Sequence, residues 1–213
     1  VGTVRLAEVV RVLPRRAHDL PRGTVRESQR WRLIEAIAEA VAKHGYASAS
    51  VADAIAIAGV SRKTFYEHFH DKEDCFLAAF EAISNRLLER VAAAGASYPA
   101  GPARRRAQLE RFLEGLARDP LGARVFLVDA TAASPQALRT CQQIDARFGE
   151  VLLGDTANGV GRVAITGGIN RAVVAELIAR GPAHLPALID DLAAFVERAL
   201  PKPTRSPLNT PII

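Results

Sequence analysis

The sequence predicts an all-α fold of about nine helices, and three observations carry that expectation. Apolar residues recur every three or four positions, as in Leu33, Ile37 and Val41, and such residues share one face of a helix. No run shows the strict alternation of a half-buried strand. Clusters of Gly and Pro divide the chain into segments of helical length. With 213 residues, 49% hydrophobic and 24% charged, the chain can bury a sizeable core without disulfide or metal staples. No internal repeat is visible, which argues against a solenoid or propeller.

Residues 1–23, with Pro14, Pro21 and Gly23, read as a basic extension with a short helix near Leu6–Leu13. Helix 1 is expected to start at Thr24, where Thr24 and Glu27 form a T-x-x-E capping box, and to stop at Gly45, a left-handed C-cap. A short helix over 51–58 follows, with Ser50 as its N-cap and Gly59 as its stop. Ser61 caps a third helix, 62–69. Asp71 caps a fourth, from Lys72 to about Ala94, with Phe76, Phe80, Ile83, Leu87 and Val91 as its buried stripe. Its first turn holds Glu73 and Asp74, which favour the positive end of the helix dipole. Beyond the loop at Gly95, Pro99, Gly101 and Pro102, five further helices are read at about 103–117, 120–133, 136–153, 163–180 and 185–200. Residues 154–161 read as turn-rich, and residues 201–213, with four prolines, as a disordered tail.

Charge is unevenly placed. Residues 1–32 carry eight arginines against Glu8, Asp19 and Glu27, whereas residues 33–213 carry 20 basic and 20 acidic side chains. The whole net charge of +5 therefore sits at one end, either as a patch for a polyanion or as a solvated basic tail. No stretch approaches the ~20 apolar residues of a membrane span, and no signal-peptide core is present. Two cysteines, Cys75 and Cys141, are too few for a disulfide framework, so a reduced cytoplasmic setting is expected.

The segment Ser50–Phe69, SVADAIAIAGVSRKTFYEHF, places two short helices around a turn at Gly59. That is helix-turn-helix spacing, in which the second helix can enter a DNA major groove while the first crosses the backbone. At 100° per residue, Phe65 and Phe69 fall on one side of the second helix and Lys63 and Glu67 on the other, flanked by Thr64 and Tyr66. Such a cation, hydroxyl and phenol can contact phosphates and base edges. The bland alternative is a solvated face with a Lys63–Glu67 pair.

Gly45-Tyr46, followed by VADAIAIAGVSRKTFYEHFHDKEDCF over Val51–Phe76, resembles the DNA-binding domain of the tetracycline-repressor (TetR) family of bacterial transcription regulators. The likeness covers about residues 30–80. One departure is Ala54 preceding Ile55, where the family often has the reverse order. The resemblance implies a DNA-binding domain over 24–74, a helical ligand-binding and dimerisation domain over 75–200, and a homodimer built through the last two long helices, 166–180 and 185–200. Val173, Val174, Leu177, Ile178, Leu188, Leu192, Phe195 and Val196 are then interface candidates, or else complete the monomer core. It further implies a dimeric repressor, not an enzyme, released from a palindromic operator by a small apolar ligand. A regulator without such a ligand, or an activator, is the alternative.

Position by position, the resemblance puts Ser50 and Lys72 on phosphates, Tyr66 and His68 on the DNA backbone, and Arg62 and Lys63 on bases or phosphates. Thr64 would meet a phosphate or thymine methyl, and Ser61 would act more as a cap than a contact. Arg15, Arg16, Arg22 and Arg26 would form an arm toward an adjacent groove. It also implies an apolar cavity among helices 4 to 8, with Phe80, Phe112, Phe126, Thr131, Cys141, Asp145 and Phe148 as candidates, each of which would serve equally as core.

No Walker loop, G-x-G-x-x-G, H-E-x-x-H or G-x-S-x-G motif occurs, so no cofactor is expected. His68 and His70 diverge by about 200° on a helix, so no metal site is expected there. Cys75 and Cys141 lack C-x-x-C spacing and read as small buried hydrophobes. Arg104-Arg105-Arg106 reads as a solvated helix start or a second anion site.

Overall fold

A computed structural model describes residues 22–125, 127 and 134–201 of the chain. Among the described residues there are nine α-helices and no strand: α1 (Arg22–His44), α2 (Val51–Ala58), α3 (Arg62–His68), α4 (Lys72–Gly95), α5 (Pro102–Arg118), α6 (Pro120–Arg124), α7 (Pro135–Leu153), α8 (Gly159–Arg180) and α9 (Ile189–Ala199). Short 3-10 segments, Gly154–Thr156 and Pro182–Leu188, precede α8 and α9. The expected extension up to residue 21, including Arg15 and Arg16, the second half of the helix read over 120–133 and the tail beyond 201 lie outside the described residues, apart from buried Val125 and Leu127.

Local chemistry sets the N-terminal unit. Ser50 accepts the Asp53 amide at 3.2 Å while the Asp53 carboxylate accepts the Ser50 amide at 2.9 Å, a reciprocal cap that satisfies donors with no intrahelical partner. Gly59 ends α2 at φ 63°, ψ 42°, a left-handed conformation that a Cβ penalises. Its amide closes on Ile55 O at 3.0 Å. Ser61 and Asp71 cap α3 and α4 by accepting the Thr64 and Asp74 amides at 3.0 and 2.9 Å. Leu33, Ile37 and Val41 of α1 are fully buried with Phe65 of α3 and Cys75, Phe76 and Val91 of α4. The 24-residue α4, about 36 Å long at 1.5 Å per residue, carries that unit into the remaining helices.

Two of these caps make stability sensitive to acid. Side-chain and backbone hydrogen bonds with Ser50 hold Asp53 below its ordinary 3.8, and the Asp74 amide does the same for Asp71. The folded state favours both charged forms, so their contribution is complete above about pH 3.8 and is lost as pH falls through the lower folded values. The melting temperature, followed by circular dichroism, is expected to fall on acidification below pH 4, and less steeply in Asp53→Asn and Asp71→Asn.

Four expectations need correction. Helix 1 runs from Arg22, two residues ahead of the Thr24–Glu27 box. α8 begins at Gly159, not 163, because Asn158 caps it by accepting the Gly161 amide at 2.8 Å. The last helix begins at Ile189, not 185, because Pro182 and Pro186 leave the approach as a 3-10 segment. The triple-arginine run is solvated only in part: Arg106 is exposed, whereas Arg105, 8% exposed, donates twice to Glu197 at 2.6 and 2.7 Å. Arg106 meets Asp190 at 2.8 Å, so the run ties α5 to α9.

Candidate nucleic-acid interface

A seven-residue helix becomes a usable edge only if its neighbours hold it. Phe65 and Phe69, 0% and 3% exposed, lie 5.9 Å apart by ring centroid and anchor α3 in the core. The opposite side projects outward. Arg62 donates to the Tyr66 hydroxyl at 3.5 Å and lies 5.7 Å over its ring. Lys63, 88% exposed by side chain, stands 3.9 Å from Glu67. Ser61 and Thr64 hydroxyls bond each other at 2.9 Å. Arg62, Lys63 and Tyr66 thus form a ridge along a helix only about 10 Å long, short and narrow enough for a major groove about 12 Å wide.

Two other expected contacts are committed inside the protein, and a third is partly withdrawn from the surface. The Ser50 hydroxyl donates to Asp53 Oδ2 at 2.7 Å, so an approaching phosphate at this helix end meets a carboxylate. Lys72 Nζ donates to Tyr46 O at 2.8 Å and Ala49 O at 3.0 Å. It also sits 4.3 Å over the Tyr46 ring, itself 4.8 Å from Phe76. Lys72 therefore locks the turn that launches α2, and only its third proton faces elsewhere. His68 is half-buried, with Nε2 shielded and without a protein partner. Burial, then Arg26 and Arg30, push its imidazole below the usual histidine range.

Sequence reasoning missed the cleft of mixed charge that this histidine joins. Arg26, Glu27, Arg30, Glu67 and His68 line a recess of about 320 Å³ between α1 and α3. Arg26 donates to Glu67 O at 3.3 Å and Arg30 lies 5.2 Å over Phe69. Arg26 is thus part of α1, not of a free arm. Arginines four apart on α1 were the available signal, because they share a face. Cys75, fully buried, donates to Leu33 O at 3.7 Å, and burial pushes its thiol up to about 12.

A second cavity, about 410 Å³, lies between α4, α7 and α8. Phe80, Leu127, Ile144 and Val174 supply apolar walls, and Cys141, Asp145, Asn170 and Arg171 supply polar groups. Phe80, Cys141 and Asp145 were singled out by sequence. Phe112 and Phe148 instead stack on each other at 4.6 Å, 1% and 2% exposed, as core. Phe126 and Thr131 lie outside the described residues. Asn170 was missed, although a lone amide between Ile169 and Val173 was visible. Of the interface candidates, Val173, Leu192 and Val196 are buried within the monomer, while Ile178 is 72% exposed.

Residues 33–79 match the model of the tetR family of bacterial regulatory proteins. The HTH-type transcriptional activator FasR of Mycolicibacterium smegmatis is 29% identical over 122 residues, 57% of this chain and 54% of that protein. The match thus spans about half the length of that relative. The transcriptional regulator FadR of Bacillus subtilis, solved with stearoyl-CoA, superposes with TM-score 0.70 at 20% identity, covering 78% of this chain and 96% of that one. The multidrug binding protein EbrR, solved with imidazole, superposes with TM-score 0.67 at 26% identity over 90% of this chain and 99% of its own.

Proposed function

The chain belongs to the tetR family of bacterial regulatory proteins, and from that premise we propose that this transcriptional regulator is a dimeric cytoplasmic repressor, released from a palindromic operator by a small, largely apolar ligand. The observation that carries the reading is the polarity of α3: Phe65 and Phe69 inward, Arg62, Lys63 and Tyr66 outward. Two such ridges, one helical turn of DNA apart at roughly 34–36 Å, would read a symmetric operator.

The α8 surface supports a homodimer. Val160, Val163 and Ile178 are 83%, 68% and 72% exposed, and with Gly167, Arg171 and Val174 they fall within about 80° on one side of the helix. That stripe passes along the cavity wall at Gly167, Arg171 and Val174, so ligand and partner subunit would act on one surface. A ligand preferring one subunit geometry then shifts the population away from the spacing that fits DNA. No described helix is long and apolar enough to cross a membrane. The activator reading is kept because the matched curated relative is named an activator.

The test is selection of bound fragments from the source genome, followed by transcription in vitro from the recovered promoters. Lower transcription with protein supports repression, and higher transcription supports activation. Recovery of no enriched sequence overturns both. Ile178→Glu is expected to convert dimer to monomer in sedimentation velocity and to lose operator binding, with the helical content unchanged.

A further inference from the structure

The chemistry of the cavity's polar end deepens the effector reading and rests on it. Asp145 of α7 and Asn170 of α8 meet across the cavity, Asn170 Nδ2 donating to Asp145 Oδ1 at 2.7 Å. This bond fixes the amide, since a flipped Asn170 would set its oxygen against a carboxylate oxygen. Asn170 Oδ1 is consequently left buried with no protein partner. Buried acceptors in native proteins are nearly always satisfied, so an orphan in a cavity signals a missing donor. The carboxylate's remaining lone pairs are acceptors as well.

The surroundings sharpen the sign of that missing group. Cys141 lies one turn before Asp145 on α7, and burial and the Asp145 charge push its thiol up to about 11. Burial also raises the Asp145 carboxyl above its ordinary 3.8, with the Asn170 bond opposing it; the charge lacks a full counterpart. Arg171 is the cation among the lining residues, but it is exposed, where water screens pairing with an anion. A ligand carboxylate directed inward would face Asp145.

We propose that the cavity binds an organic amine, its apolar body against Phe80 and Ile144 and its ammonium N–H groups donating to Asp145 and Asn170 Oδ1. The ammonium neutralises the carboxylate and satisfies the orphaned oxygen together, whereas an alcohol supplies one donor and no charge, and a carboxylate supplies neither.

Calorimetric titration of the full chain at pH 7 with decylamine, decanol and decanoate tests this. Decylamine is expected to bind at least about tenfold tighter than decanol, with decanoate weakest. Asp145→Asn, whose new amide can bond Asn170 Oδ1, should keep the melting temperature and decanol binding while erasing the amine preference. Decanoate binding tighter than decylamine, or an amine preference that survives in Asp145→Asn, would overturn the proposal. If decanol binds and decylamine gains nothing, the apolar cavity stands and the amine assignment falls. If none of the three binds, the effector-site reading falls with it.

Discussion

Alanine at both Arg62 and Lys63 is expected to weaken operator binding by roughly thirtyfold to more than a thousandfold while leaving the melting temperature unchanged. Each base or phosphate contact of this kind carries about 1–3 kcal/mol. A symmetric dimer loses at least one such contact in each half-site, so the loss is at least about 2–6 kcal/mol even if only one of the two side chains makes a strong contact. Little opposes this on the folding side. Lys63 is 88% exposed and its partner Glu67 52% exposed by side chain, and such an i,i+4 pair contributes about 0.2–0.5 kcal/mol. Arg62 touches only Tyr66 of its own helix among the contacts seen. Electrophoretic mobility shift at several salt concentrations checks the result. The slope of log K against log salt should fall by about 0.9 for every phosphate contact removed. Unchanged affinity in the double variant would remove the outward face of α3 from the interface.

The single changes separate two roles. Lys63→Ala should reduce affinity for every sequence if it meets phosphate, and relax preference at one base pair if it meets a base. Tyr66→Phe removes a hydroxyl that already accepts from Arg62 at 3.5 Å, so its effect should be smaller than that of the double variant.

What was legible in the sequence was local. Ser50, Gly59, Ser61 and Asp71 mark the limits of α2, α3 and α4 because a cap depends on residues three or four apart. The inward position of Phe65 and Phe69 follows from helical periodicity alone. The commitments of Lys72 to Tyr46 O and Ala49 O, 26 and 23 residues away, have no local sign. Neither do Arg105 with Glu197, 92 apart, or Asp145 with Asn170, 25 apart. Charge therefore misleads where periodicity does not. A Lys or Arg in sequence reads as surface, but its donors follow whichever carbonyl or carboxylate packing brings near. The asparagine signal at Asn158 was also present and was outweighed by a glycine-rich stretch.

Phe65→Ala should remove DNA binding by a different route, through the fold. Phe65 is fully buried, with Tyr66 and Phe69 rings at 5.3 and 5.9 Å. Truncating a buried Phe costs about 3–5 kcal/mol in lost transfer energy and residual cavity. For a domain of this size that corresponds to a fall of about 6–20 °C in melting temperature. The cost is concentrated on α3. Its seven residues are far below the roughly 12–15 needed for a helix to persist alone in water, and Phe65 is its one buried helical residue. Local opening of α3 should therefore precede global unfolding, with amides of residues 65–69 exchanging faster than those of α4. Trp31, the sole tryptophan, packs against the same core from α1, so its fluorescence reports the loosening. Phe65→Leu retains most of the apolar volume and should recover much of both stability and binding, which Arg62 or Lys63 variants cannot do. A Phe65→Ala protein that melts like the parent, yet fails to bind DNA, would mean that Phe65 touches the duplex and that the inward face of α3 has been assigned to the wrong side.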